Sequence, residues 1–311
     1  MIQVENVTKD YGQFRAIDDI SFTVEKGDIM GFLGPNGAGK TTVMRMLTCF
    51  FPPTKGKLMV AGYNCFEDSL NVRKKIGYLP ERVPLYADMS VSGYLGFVAG
   101  IKGMRGKEIK GKVGAVMDDC GLNDVSGKLI SDISRGYRQR VGIAQALVND
   151  PEVLILDEPT VGLDPHQIKE IRKLIKDLAG RHTVILSTHI LPEVSILCNR
   201  VIVINKGTVA AVDSLDNLTS AGSDKMFLRI DGDQQAIKKA LDKLKEIKAV
   251  ERKQRDSGEA DGFVITLDDE KRGRKSIHAM IEKNDWHLEE MRPVEVNLED
   301  IFIQLVTKEG K

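Results

Sequence analysis

Gly34, Pro35, Asn36, Gly37, Ala38, Gly39, Lys40 and Thr41 follow one another in the pattern G-x-x-x-x-G-K-T. Such a loop does one kind of chemistry. Its glycines let successive backbone N–H groups converge into a concave anion nest that a side chain at Cβ would block. Lys40 is placed to reach terminal phosphates, the N-terminus of a following helix adds partial positive charge, and the Thr41 hydroxyl suits Mg²⁺. A second constellation is the acid pair Asp157 and Glu158, directly after the apolar run Val153 to Leu156. An acid at a strand end reaches a metal's ligand shell, and its neighbour can orient and deprotonate an attacking water. The phosphate loop alone leaves kinases, GTPases and recombinases open, and the rest of the chain has to choose among them.

Positioning these groups requires strands that end at them. Ile29 to Leu33 is a continuous apolar run of buried-strand type immediately before the loop, and Thr42 to Thr48 reads as the helix after it. Val153 to Leu156, Thr183 to Leu186 and Val201 to Ile204 are further buried-strand runs, while Ile20, Phe22 and Val24 alternate with polar residues. Between them, Pro165 to Ala179 sets Ile168, Ile171, Leu174, Ile175 and Leu178 on one helical face. Strands separated by helices imply a parallel sheet with crossover connections, hence an α/β fold. The polar stretch Ser214 to Lys225 is the expected joint, giving domains at 1–220 and 221–311. The tail reads as strand (Met226–Ile230), helix (Ile237, Leu241, Leu244, Ile247), strands (Val250–Lys253, Phe263–Leu267), helix (Ile277–Ile281), strand (Trp286–Met291) and a last helix after Asn297. Its βαββαβ order is that of a ferredoxin-like unit.

After the acid pair come Pro159, Thr160, Gly162, Leu163, Asp164 and Pro165, then Ser187, Thr188 and His189. Upstream, Ile133, Ser134, Arg135, Gly136, Tyr137, Arg138, Gln139 and Arg140 form one block. With these motifs in this order, 1–220 resembles the ABC ATPase family. The resemblance implies a P-loop cassette with a parallel-sheet core, an antiparallel β subdomain and a helical signature subdomain, followed here by a small α+β domain. It implies ATP and Mg²⁺ as cofactors, with Gly34 to Thr42, Tyr11 (on adenine), Glu81, Ser134, Gly136 and Asp164 as binding residues. Thr41, Asp157 and Glu81 would serve the metal, and Glu158, His189 and Lys40 catalysis. In that family the serine and glycine matched by Ser134 and Gly136 bind the γ-phosphate held by the opposite subunit, so the resemblance implies a homodimer or paired cassette around two ATP. Asp164 would link the two sites; Asp164 before Pro165 is also a good N-cap and N1 pair.

Two motifs depart from the family pattern. Arg135 and Tyr137 stand where its signature has glycine and glutamine, and Glu81 stands where many members have glutamine. These variants resemble the ABC-2 type exporter branch, which implies separate integral membrane permease subunits and a peripheral position on the cytoplasmic face of the membrane. Val91 to Ile101 falls in the helical region where a membrane subunit docks in the family; core packing explains its apolar residues equally well.

The bulk properties agree. The 311 residues carry 45 Lys plus Arg against 45 Asp plus Glu, leaving no overall field for nucleic acid or anionic lipid. Four scattered cysteines suggest neither zinc ribbon nor disulfide framework, the start has no signal-peptide pattern, and no apolar run approaches the roughly 20 residues of a membrane span. A soluble ABC ATPase acting on ribosomes or DNA is the alternative; such members carry two cassettes in one chain or a long coiled-coil insertion, and this chain has neither. A module that holds ATP without hydrolysing it is a third reading, opposed by the presence of Glu158 and His189.

Overall fold

The computed structural model describes residues 1–220, 225–253 and 262–294 together with Phe302. Met1–Leu215 forms one compact unit, and the described residues from Asp216 onward form another.

In the first unit, β1 (Ile2–Tyr11) and β2 (Phe14–Val24) make an antiparallel pair, and β2 buries alternate residues on its inner face. β3 (Ile29–Leu33) is buried on both faces, as its unbroken apolar composition requires, and runs into the glycine loop and α1 (Lys40–Leu47). The chain then returns through β4 (Lys55–Val60) and β5 (Tyr63–Asn64), followed by α2 (Ser69–Lys75) and β6 (Ile76–Leu79). A helical stretch follows: α3 (Val91–Ile101), α4 (Lys107–Cys120) and α5 (Arg135–Leu147). Ser90 caps α3 by accepting a hydrogen bond from the Gly93 N–H, and Ser134 caps α5 by accepting from the Tyr137 N–H. The sequence then continues with β7 (Val153–Asp157), α6 (Pro165–Leu178), β8 (Thr183–Thr188), α7 (Leu191–Leu197), β9 (Arg200–Asn205) and β10 (Thr208–Ser214); the short α8 (Leu215–Ser220) begins at the boundary and belongs almost wholly to the second unit.

Two sheets result. The antiparallel one has the order β2-β1-β4-β5; the larger has β10-β9-β3-β8-β7-β6, parallel except for β10. An apolar core that includes Ile2, Val24, Phe32, Met44, Leu58, Ile155 and Ile202 joins them. The expected α/β cassette with its antiparallel subdomain and helical stretch is therefore present. Because β3, β8 and β7 are neighbours, the segments leaving their C-terminal ends meet although they lie far apart in sequence. That edge is where parallel sheets place ligands.

The second unit contains β11 (Lys225–Asp231), α9 (Gln234–Leu241), β12 (Ile247–Lys253), β13 (Gly262–Leu267), α10 (Glu270–Lys283) and β14 (His287–Pro293). Its antiparallel sheet has the order β12-β13-β11-β14, which is the split βαβ arrangement of ferredoxin-like units. The one clear departure is α9, expected to run through Leu244 and Ile247. It stops at Leu241, the Leu244 and Ile247 N–H groups close tight turns, and Ile247 pairs with Leu267 in the sheet. Burial of an apolar residue satisfies the pattern equally from a helix, a turn or a strand, so periodicity did not mark this end. The helix expected after Asn297 lies outside the described residues. Among those residues, no helix is long and apolar enough to cross a membrane.

Candidate functional site

The glycine loop leaves the end of β3 and is pinned from below: the Gly207 N–H donates to the Ala38 carbonyl at 3.0 Å, and the Ala38 N–H donates to the Pro35 carbonyl at 3.2 Å. Its glycines are needed for reasons only partly legible beforehand. A Cβ on Gly34 would strike the Ile204 carbonyl of the adjoining strand, and one on Gly39, at φ 106°, would lie 2.5 Å from Ile17 Cδ1. Gly37 has open space around it and is required only for its φ of 81°. Thus two of the three glycines answer to packing beneath the loop; the concavity on the ligand side follows from that packing.

Lys40 opens α1 with its side chain buried. Its Nζ donates to the Gly34 carbonyl at 2.8 Å and lies 3.6 Å from Glu158 Oε1. Glu158 is held there by an uncommon backbone: φ is 49°, in the left-handed region, and its N–H donates to the Ser187 carbonyl (3.1 Å) and Oγ (3.2 Å). A non-glycine residue in this region stores strain that the surroundings must overcome. Both Glu158 carboxylate oxygens lie 3.0 Å from His189 Nδ1. Lys40, Glu158 and His189, from three separate segments, therefore meet, with Glu158 between the other two.

Asp157 sits beneath them at 1% exposure. Ser187 Oγ donates to its Oδ1, while Oδ2 is buried with no hydrogen-bond partner among the described residues. Burial pushes the Asp157 carboxyl above its ordinary value, the hydroxyls of Ser187 and Thr41 act against that, Glu81 raises it further and Lys40 lowers it. An ionised carboxylate with an idle oxygen, beside a threonine hydroxyl and a second acid, is a donor set for a hard divalent cation such as Mg²⁺.

A cavity of about 470 Å³ opens above these groups, lined by Lys40, Thr41, Thr42, Glu81, Glu158 and His189 together with Tyr11, Phe14 and Ala16. Asn36, Gly37 and Gly39 also line it. Tyr11 packs edge-on against Phe51, with centroids 5.8 Å apart, and remains 45% exposed. The lining thus combines charged groups with the exposed rings of Tyr11 and Phe14, the two kinds of group a nucleotide needs.

Of the expected residues, Gly34, Pro35, Ala38 and Asp157 do not line this cavity, and Ser134, Gly136 and Asp164 do not either. Ser134 is exposed at the start of α5, Gly136 is buried so closely under Gln167 that a Cβ would lie 2.7 Å from Gln167 Cδ, and Asp164 caps α6 by accepting from the Gln167 N–H at 2.9 Å. Arg135, at the place of a signature glycine, donates to the Val161 carbonyl at 3.2 Å.

Sequence reasoning missed two contributors. Phe14 was visible as an aromatic beside the Gly12 turn. Glu193 is fully buried in α7: it accepts from Thr160 Oγ1 and from Thr188 Oγ1 (2.8 Å), and Arg172 Nη2 lies 3.4 Å away. It ties the segment after the acid pair to the end of β8. An acid between Pro192 and Val194 in an otherwise apolar helix was the available signal.

A model for the ABC transporter family matches residues 17–161, and one described as AAA domain, putative AbiEii toxin, Type IV TA system matches residues 130–195. The bacitracin transport ATP-binding protein BcrA of Bacillus licheniformis is 37% identical over 239 residues, covering 76% of this chain and 77% of its own. An uncharacterised ABC transporter ATP-binding protein of Bacillus subtilis, YcbN, is 30% identical over 311 residues, covering 98% and 97%. Among solved structures, a dimeric post-hydrolysis state of the ATP-binding cassette MJ0796 bound to ADP and Pi aligns with TM-score 0.62 and 25% identity, over 69% of this chain and 99% of that one. Sheet order, loop, acid pair and relatives agree: the chain belongs to the ABC transporter family, as one of its ATP-binding, ATP-hydrolysing proteins.

Proposed function

We propose that two copies of this chain close around two Mg-ATP and that their closing and opening drive separate membrane-spanning permease subunits of an exporter. The observation that carries the reading is the contact of Lys40 and His189 with Glu158, above an Asp157 oxygen that has no partner.

ATP lies with its base against Tyr11 and Phe14 and its phosphates over the loop from Gly34 to Thr42. Lys40, which bonds the Gly34 carbonyl at 2.8 Å, turns its ammonium toward the β- and γ-phosphates. Thr41 and Asp157, with Glu81 beside them, would hold Mg²⁺, which when bound would supply neutralisation of the phosphate charge. Glu158 takes the proton of the attacking water, and His189, 3.0 Å from that carboxylate, orients it and faces the γ-phosphate. The strained backbone at Glu158 fits this role, because it aims the carboxylate upward while the Asp157 side chain stays below.

Ser134 and Gly136 lie outside the cavity of their own chain, which is what contact with a partner's γ-phosphate demands. Asp164 serves first as a helix cap and, across the closed dimer, as a link between sites. The permease has a fitting surface in a groove of about 810 Å³ lined by Phe50, Leu70, Ile101 and Lys102. Phe50, Leu70 and Ile101 are each more than two-thirds exposed there. BcrA is by name a bacitracin transport protein, which supports the exporter reading and a peripheral place on the cytoplasmic face of the membrane.

Ser134→Arg tests the dimer directly. We expect it to leave ATP retention by the monomer intact while removing the ATP-dependent increase in mass seen by light scattering. A variant that still dimerises with ATP would disprove the trans contact. Co-purification with a multispanning membrane protein, against ribosomes or DNA, decides what the cassette drives.

A further inference from the structure

The far end of the phosphate-loop helix carries a second reactive arrangement. α1 terminates in a Schellman turn: the Phe50 N–H donates to the Arg45 carbonyl at 2.9 Å and the Cys49 N–H to the Met46 carbonyl at 3.0 Å. The residue after the cap of such a turn must be left-handed, and glycine normally fills it. Here Cys49 fills it at φ 59°, accepting the conformational cost of a Cβ. Arg73 Nη2 donates to the Cys49 carbonyl at 2.8 Å and fixes it. Cys65, just after β5, is held by its own N–H on the Leu58 carbonyl at 2.9 Å. Both thiols converge on the Leu47 carbonyl, Cys49 Sγ at 4.0 Å and Cys65 Sγ at 3.7 Å.

Both sulfurs belong to residues lining a cavity of about 240 Å³, whose lining also includes Phe50 and Phe66, 75% and 65% exposed, and Arg73. We propose that Cys49 and Cys65 form a dithiol site that a low-molecular-weight disulfide oxidises reversibly to a Cys49–Cys65 cross-link. The neighbouring Cys65 and the nearby Arg73 charge lower the Cys49 pKa although burial opposes them, whereas Cys65 is raised. Cys49 is therefore the first nucleophile. Its thiolate attacks one sulfur of RS–SR, and RS⁻ leaves and takes up a proton; Cys65, losing its own proton, attacks the Cys49 sulfur of the mixed disulfide and expels the second RS⁻. Two cysteines lose two electrons and two protons, and the disulfide becomes two RSH. Cys120 and Cys198 are internal controls, since burial pushes each of those thiols up to about 12.

The test uses the folded full chain and hydroxyethyl disulfide, with peptide mapping under non-reducing conditions. We expect a Cys49–Cys65 linked peptide that dithiothreitol dissolves, with Cys120 and Cys198 recovered as thiols. Cys65→Ser should stop the reaction at a mixed disulfide on Cys49. Cys49→Gly, which suits the left-handed turn and so keeps the fold, should abolish the cross-link. Recovery of Cys49 and Cys65 as free thiols, or their modification no faster than Cys120, would overturn the proposal. The readout is independent of ATP, so it stands apart from the nucleotide-site reading.

Discussion

At the C-terminal ends of β3, β8 and β7 the first unit buries Lys40, Asp157, Glu158 and Glu193, whereas the core of the second unit is apolar throughout, from Met226 and Phe263 to Ile277. Both are sheets with helices, folded by the same pattern of buried strand faces and amphipathic helices. They differ in what their interiors tolerate. Buried charge costs free energy unless paired or hydrogen-bonded. Lys40 meets that condition through the loop carbonyls and Glu158, Glu193 through two threonines and Arg172, and Asp157 only by half. Where a structure accepts polar groups whose requirements it leaves partly unmet, chemistry is the physical reason to look for. The second unit buries no charged residue among its described residues and reads as packing.

This contrast makes its strongest demand on Glu158. Glu158→Gln keeps the shape and removes the base, so phosphate release should fall about 10²–10⁴-fold while ATP is still retained. Near-normal release would remove Glu158 from the reaction and with it the main support for reading buried charge as catalytic.

Asp157→Asn comes next. Loss of a charged metal-site oxygen should cost at least about 10–100-fold in Mg²⁺-dependent turnover. The same change sharpens the energetic side. Burial raises the Asp157 pKa in the folded chain, so its favourable contribution is complete below the unfolded carboxylate value and is lost as pH rises through the folded one. In chelator at neutral pH the asparagine variant should therefore melt higher than the native chain, and the gap should close as pH falls toward the ordinary carboxylate range. A lower melting temperature in chelator would mean that Asp157 is structural.

The smallest effect on activity is expected in the other unit. Phe263→Ala removes a fully buried ring and should destabilise the second unit by about 3–5 kcal/mol in denaturant unfolding. ATP turnover should stay at the native level. A loss comparable to that of Glu158→Gln would erase the distinction between the two regions.

Much of this was legible in the residues. Val153 to Leu156 announced a buried strand and the acids after it a metal and water site; the structure puts Asp157 at the end of β7 with Glu158 directly after it. Ile29 to Leu33 likewise became β3, with the loop directly behind it. β1, β4, β5 and β6 were less visible, because β4 and β5 are short, with few buried positions, and β6 holds only four residues. The end of α9 was misplaced because Leu244 and Ile247 keep helical spacing while their backbone turns away. Glu193 escaped notice for a different reason: its two threonine partners, Thr160 and Thr188, approach from other segments, and nothing in the neighbourhood of Glu193 names them.

The sequence by itself determined the local chemistry: a glycine-rich turn after a strand, a lysine and threonine at a helix start, an acid pair where an apolar run stops, and a cap at Asp164. Those depend on steric and hydrogen-bonding rules that act within a few residues. Tertiary structure alone decided that β3, β8 and β7 are neighbours, that Ile204 sits under Gly34, that Asp157 Oδ2 is left without a partner, and that two cysteines share one carbonyl. These are outcomes of packing between segments distant along the chain, where burial and exclusion of water fix which groups meet.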